Sequence, residues 1–168
     1  IFGAPVRSVV LRVLPQLQNI GTHFACGCSG LESITLVNLP ILAKIGCGFG
    51  YRCSKLARCT LTRLPALRGI DDHFLSRTTT LSEMRFTGLH SLERIGSHCL
   101  TEAYHLLRVI LDDLPKLDFI GDCFAHHCSS LSCMTLRNLP ELTAIGRNFT
   151  QDCSVLSRLT VENLPKLH

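Results

Sequence analysis

Apolar residues recur along the chain at a constant interval of 25 residues, with no insertion or deletion. Leu-Pro stands at Leu14-Pro15, Leu39-Pro40, Leu64-Pro65, Leu114-Pro115, Leu139-Pro140 and Leu164-Pro165, and Leu89-His90 fills the remaining place. Ile returns at Ile20, Ile45, Ile70, Ile95, Ile120 and Ile145. Phe24, Phe49, Phe74, Phe124 and Phe149 share a column with Cys99, and Leu31, Leu56, Leu81, Leu106, Leu131 and Leu156 make another. Self-similarity at one period over a whole chain is the signature of a solenoid, in which each repeat is one structural unit.

Each unit has two halves of different period. In Ser33-Ile34-Thr35-Leu36 apolar and polar residues alternate, which predicts a short strand with one buried face. The same alternation runs through Val9 and Leu11, Met84 and Phe86, Val109 and Leu111, and Leu159 and Val161. Leu-Pro then breaks the strand, because proline donates no ladder hydrogen bond. The second half reads Ile20, Phe24, Cys28, Leu31, with steps of four, four and three that fit one face of a short helix or helical turn. Gly21 and its equivalents suit a sharp entry, and Thr22, Ser97 and Asp122 are candidate caps there.

A single unit cannot bury its apolar face, but stacked units can, since like columns meet like columns. The expected fold is an α/β solenoid of about six repeats in one domain over residues 1–168. It has a parallel sheet on the concave side and short helices or helical turns on the convex side. Its expected core is Leu17, Ile20, Phe24, Cys28, Leu31, Ile34, Leu36 and Leu39 with their equivalents. The chain opens on Ile1 and stops inside a unit. The expectation is a piece of a longer repeat protein, whose uncapped ends invite end-to-end self-association.

The repeat resembles a leucine-rich repeat. More narrowly, Ile-Gly-x-x-Phe-x-x-x-Cys-Ser-x-Leu-x-x-Ile-x-Leu is similar to the BspA-like, or Treponema-type, leucine-rich repeat. The cysteine-containing leucine-rich repeat is the nearest alternative. The resemblance implies a binding scaffold, with no catalytic residues, and similar proteins occur at cell surfaces.

Composition narrows the picture further. Of 168 residues 46% are hydrophobic and 18% charged, which excludes a disordered chain. Charged residues, Gly or Pro interrupt every apolar run well before the roughly 18 residues a membrane helix needs, so no membrane insertion is expected. The net charge of +4 is too small to imply nucleic acid by itself.

Ten cysteines invite a disulfide reading. However, Cys28, Cys53, Cys128 and Cys153 occupy one apolar column, where they should serve as small buried hydrophobes. Neighbours in that column come within about 5 Å, the spacing of stacked strands, so bridging stays open. Ten free thiols would favour an intracellular protein, and bridges an exported one.

His126 and His127 beside Cys128 raise the question of zinc. Cys128 belongs to the core column, and no second Cys/His pair stands at matched spacing, so no metal site is expected there. No phosphate-binding glycine loop, nucleophile elbow or His-Glu-x-x-His occurs. Neither an enzyme nor a cofactor is expected.

Function should then reside on the outward strand positions. The candidates are Arg58, Thr60, Glu83, Arg85, Arg108, Asp112, Thr135, Arg137, Arg158 and Thr160. Arginine is favoured at interfaces because its planar fork makes bidentate contacts. Acidic residues interleave with the arginines, which favours a protein partner over a polyanion. The expected function is a non-enzymatic protein–protein interaction scaffold. The alternatives are a surface adhesin or receptor ectodomain, from the family resemblance, and a structural spacer between domains.

Overall fold

The computed structural model describes the whole chain, Ile1–His168. Seven five-residue strands recur one period apart: β1 (Ser8–Arg12), β3 (Ser33–Val37), β5 (Arg58–Thr62), β7 (Glu83–Thr87), β9 (Arg108–Asp112), β11 (Cys133–Arg137) and β13 (Arg158–Glu162). Six two-residue strands lie between them: β2 (Asn19–Ile20), β4 (Lys44–Ile45), β6 (Gly69–Ile70), β8 (Arg94–Ile95), β10 (Phe119–Ile120) and β12 (Ala144–Ile145). Coil one begins at Ser8, coil two at Ser33, and so on every 25 residues. All strand pairings are parallel and join equivalent residues of successive coils, such as Leu36 with Leu61 and Leu111 with Leu136. Leu36, Leu61 and Leu136 lie in one buried row, as the repeat requires.

The core is a single cluster of 42 buried residues that runs from coil one to coil six. The expected rows are present, apart from end positions such as Leu17 and Phe24, which are only half-buried. One buried row was not anticipated: Ala25, Leu75, Leu100 and Ala125. Phenylalanine rings stack along another, with centroids 5.7 Å apart for Phe24 and Phe49 and 5.4 Å for Phe49 and Phe74.

The expected helices are not there. The second half of each unit is a ribbon of tight turns: in coils one to four three alternate residues are left-handed, and in coils five and six only the outer two of the three are, Cys123 with His127 and Asn148 with Asp152. In coil one these are His23, Ala25 and Gly27, with φ of 56°, 59° and 68°. In coil three they are His73, Leu75 and Arg77, with φ of 57°, 52° and 62°. The amides explain the choice. The N–H groups of His73 and Arg77 donate to Ser97 O at 2.9 Å and Thr101 O at 2.8 Å in the next coil, while that of Leu75 donates back to Phe49 O at 2.9 Å. An α-helix would use those amides internally. The ribbon spends left-handed strain of roughly 1–2 kcal/mol per residue and gains hydrogen bonds that join each coil to its neighbours.

The residues expected as helix caps act between coils for the same reason. Ser97 Oγ accepts from the Asp122 amide at 3.2 Å, and Asp122 Oδ1 accepts from the Arg147 amide at 2.7 Å. The glycines after the Ile column serve close approach. A Cβ on Gly121 would fall 2.5 Å from backbone atoms of Gly96 and Ser97. Each strand is followed, just before Leu-Pro, by a left-handed residue such as Asn38 (φ 57°) or Asn138 (φ 55°), a conformation asparagine tolerates.

Candidate interaction surface

Strand alternation places all ten candidate residues on the same face, that of the five-residue strands. Three rows cross it. Arg58, Glu83, Arg108, Cys133 and Arg158 follow one another in the first, with register shown for Glu83–Arg108–Cys133–Arg158. Thr60, Arg85, Ile110, Thr135 and Thr160 occupy the second, and Thr62, Thr87, Asp112, Arg137 and Glu162 the third.

The charges on this face are not equivalent. Asp112 and Arg137 form a two-pronged pair, with Nε to Oδ1 at 3.2 Å and Nη2 to Oδ2 at 2.6 Å. Asn138 also donates to Asp112 Oδ1 at 3.1 Å. The Arg137 guanidinium is the main reason the Asp112 carboxyl sits below its ordinary pKa; burial opposes it and Asn138 assists it. Glu83 and Arg85 pair within their own strand. Arg58, Arg108 and Arg158 are exposed and take part in no ion pair. They lie on one row at two-coil intervals, and the usual strand spacing puts Arg108 and Arg158 about 10 Å apart along the second ladder.

The sheet itself is divided. β1, β3 and β5 form one ladder and β7, β9, β11 and β13 another, with no hydrogen-bonded pairing between β5 and β7. The six short strands on the other side of the core stay continuous, β6 pairing with β8. A cleft of about 350 Å³ opens at the division, lined by Arg58, Cys59, Thr60, Leu61, Thr62, Glu83, Arg85 and Thr87. Four of the ten candidates therefore converge there: Arg58, Thr60, Glu83 and Arg85. Arg108, Asp112, Thr135, Arg137, Arg158 and Thr160 lie on the second ladder, away from the cleft. Thr62 and Thr87 complete the lining; their outward positions were readable, but the division that gives them a role was not.

A larger cleft, about 590 Å³, lies along the short strands, where Gly69 leaves a notch between Lys44 and Arg94. Its charges are mostly answered within the protein, by Lys44–Asp71 at 2.9 Å, Arg94–Asp118 at 3.7 Å and Arg68–Glu93 at 3.9 Å.

The cysteines follow the core reading. Cys28, Cys53 and Cys128 are buried, and all ten thiols are unpaired. Their S–H groups find backbone carbonyls of the preceding coil, as with Cys53 to Ala25 O at 2.9 Å and Cys128 to Leu100 O at 3.1 Å. Burial pushes the Cys53 thiol up to about 12.

Stacked parallel coils with an open strand face define a leucine-rich repeat solenoid. The chain belongs to the BspA type leucine-rich repeat family, whose repeats match it in six copies over residues 7–132 and 50–167. A leucine-rich repeat protein of T. pallidum has the same fold, with a TM-score of 0.75 and 22% identity, covering 94% of this chain and 73% of that one. One from Bacteroides ovatus ATCC 8483 gives a TM-score of 0.54 at 16% identity, covering 96% of this chain and 47% of that one. No curated protein matches the sequence.

Proposed function

We propose that the chain is a non-enzymatic scaffold that holds a protein partner on its long-strand face, centred on the cleft between β5 and β7. Family membership supports the scaffold role. The observation that carries the location is the convergence of Arg58, Thr60, Glu83 and Arg85 on that cleft, with the unpaired Arg58 at its rim. Arg108 and Arg158 extend the same cationic row across the second ladder. The partner segment that fits presents carboxylates to this row and hydrogen-bonding groups to Thr60, Thr62 and Thr87. Asp112 and Arg137 satisfy one another and would serve as a rigid border.

Peptide-display selection on the 168-residue chain tests this, with counter-selection on Arg58→Glu/Arg108→Glu. The expected binders are rich in Asp and Glu and are lost on the double variant. Binders that hold both proteins equally well would refute the location. Arg7→Glu, on an exposed arginine outside the strands, is the control and should change nothing.

A further inference from the structure

The turn ribbon carries a cluster that the strand-face reading does not use. His126 and His127 adjoin in coil five, and Asp152 follows His127 by one period, so stacking in register sets it beside them. Nε2 of His126 is 3.5 Å from Asp152 Oδ2, and Nδ1 of His127 is 3.4 Å from the same oxygen. All three ligand atoms lie within 4.8 Å of one another. The imidazole centroids are 3.9 Å apart and tilted by 57°.

These separations are long for hydrogen bonds, which cluster near about 2.7–3.0 Å. The two histidine–aspartate separations match the edge of a coordination tetrahedron instead. Bonds of about 2.0–2.2 Å from a central ion, at tetrahedral angles, put ligand atoms roughly 3.3–3.6 Å apart. The backbone beneath is fixed: the His127 amide donates to Gln151 O at 2.9 Å, and His127 and Asp152 share the left-handed conformation, with φ of 57° and 61°. The His126 side chain is only 20% exposed, so packing limits its rotation. Cys128, the neighbour that first suggested zinc, points into the core and takes no part.

We propose that His126, His127 and Asp152 bind a divalent transition-metal ion of the zinc class, which clips coil five to coil six. Two imidazoles and one carboxylate suit Zn²⁺ and its neighbours in the series, whereas Ca²⁺ and Mg²⁺ take all-oxygen sets. Three protein ligands leave a fourth position for water. The clip falls where the core is thinly covered: Ile145, Phe149, Cys153 and Leu156 of coil six are only partly buried.

The test titrates the reduced, metal-free 168-residue chain with ZnCl₂ by calorimetry, and with CoCl₂ by absorption spectroscopy. One ion per chain is expected, with cobalt d–d bands and no thiolate charge-transfer band in the near ultraviolet. Asp152→Asn and His127→Asn should each weaken binding at least about tenfold, since losing a ligand costs no less than losing a partner that orients one. Asn keeps the left-handed backbone at both places, and an unchanged circular dichroism spectrum checks that the variants fold. Zn²⁺ should raise the melting temperature of the parent chain and leave that of Asp152→Asn unmoved. His90→Ala, which removes a histidine paired with Asp113 at 3.4 Å, should bind like the parent. Absence of saturation at one ion per chain, binding that survives both Asn variants, or thiolate charge transfer at the first equivalent would each overturn the proposal.

Discussion

Two of the places where coil four departs from the repeat are, in the structure, one exchange. Cys99 stands where the other coils carry Phe, and Phe86 stands where they carry Leu36, Leu61, Leu111 or Leu136. The Phe86 ring lies 6.0 Å from Phe74 and 6.1 Å from Phe124, so it fills the break that Cys99 leaves in the aromatic stack. Phe86→Leu removes buried volume worth about 1 kcal/mol and two ring contacts worth about 0.5–1.5 kcal/mol each. The total expected cost is about 2–4 kcal/mol. Cys99→Phe alone overfills the same space at about 1–3 kcal/mol. The double variant moves the ring back to its column, and should be more stable than the sum of single costs allows, by about 1–3 kcal/mol of coupling. Urea unfolding followed by circular dichroism, with midpoints compared at a common m-value, measures each corner of the cycle. Single costs that add to within about 0.5 kcal/mol would refute the exchange.

Gly121→Ala should destabilise the chain by about 3 kcal/mol, at the upper end of overpacking costs, because its Cβ meets backbone at 2.5 Å. Gly69→Ala, where the added Cβ meets nothing within 4 Å, should be nearly neutral by the same unfolding assay. At pH 8 a thiol with a pKa near 12 is ionised about a thousandfold less than one at 9.0, so Cys53 should alkylate at least that much more slowly in the folded chain than in urea; equal rates would contradict its burial. Asp112 has a depressed folded pKa, so its pairing with Arg137 stabilises the fold above the unfolded carboxyl pKa and is lost as pH falls through the folded one. Asp112→Asn should therefore cost up to about 1 kcal/mol at pH 7, and parent and variant should converge in strong acid. Amides of Glu83–Thr87, paired on one side only, should exchange with deuterium faster than those of Cys133–Arg137, paired on both; equal uptake would count against the divided sheet.

The repeat and its buried rows were legible because stacking in register turns a 25-residue interval into a contact. The helix expectation failed for a related reason. Steps of four, four and three bring Ile20, Phe24, Cys28 and Leu31 to one side of a helix, but a ribbon that reverses hand at every second residue does so as well. Gly27, Gly48 and Gly50 were the clue, since all three sit at left-handed positions. His23, Arg52 and Leu75 hide it, because nothing about those residue types announces a positive φ. The outward placement of Arg58, Thr60, Glu83 and Arg85 followed from alternation alone. Their grouping around a cleft did not, because it depends on hydrogen bonds missing between two particular strands. Asp152 beside His127 was readable from the period, but a search for metal ligands within one segment passes over a partner one coil away.

The division between β5 and β7 and the aromatic exchange in coil four meet at one boundary, and together they explain how a broken sheet can belong to a single body. On the long-strand face coils three and four share no ladder. Across the core they remain joined, by β6 with β8 and by Phe86 packed against Phe74. The turn ribbon adds the bonds from His73 to Ser97 and from Arg77 to Thr101, and a side-chain pair between Arg77 and Glu102 at 2.9 Å. In a solenoid each interface contributes its own coupling energy, and here one face of one interface is relieved while the rest is kept. The stack is therefore held together at this boundary by the short strands, the aromatic core and the turn ribbon. The division thus leaves β5 and β7 each with a ladder partner on one side only, beside the unpaired Arg58.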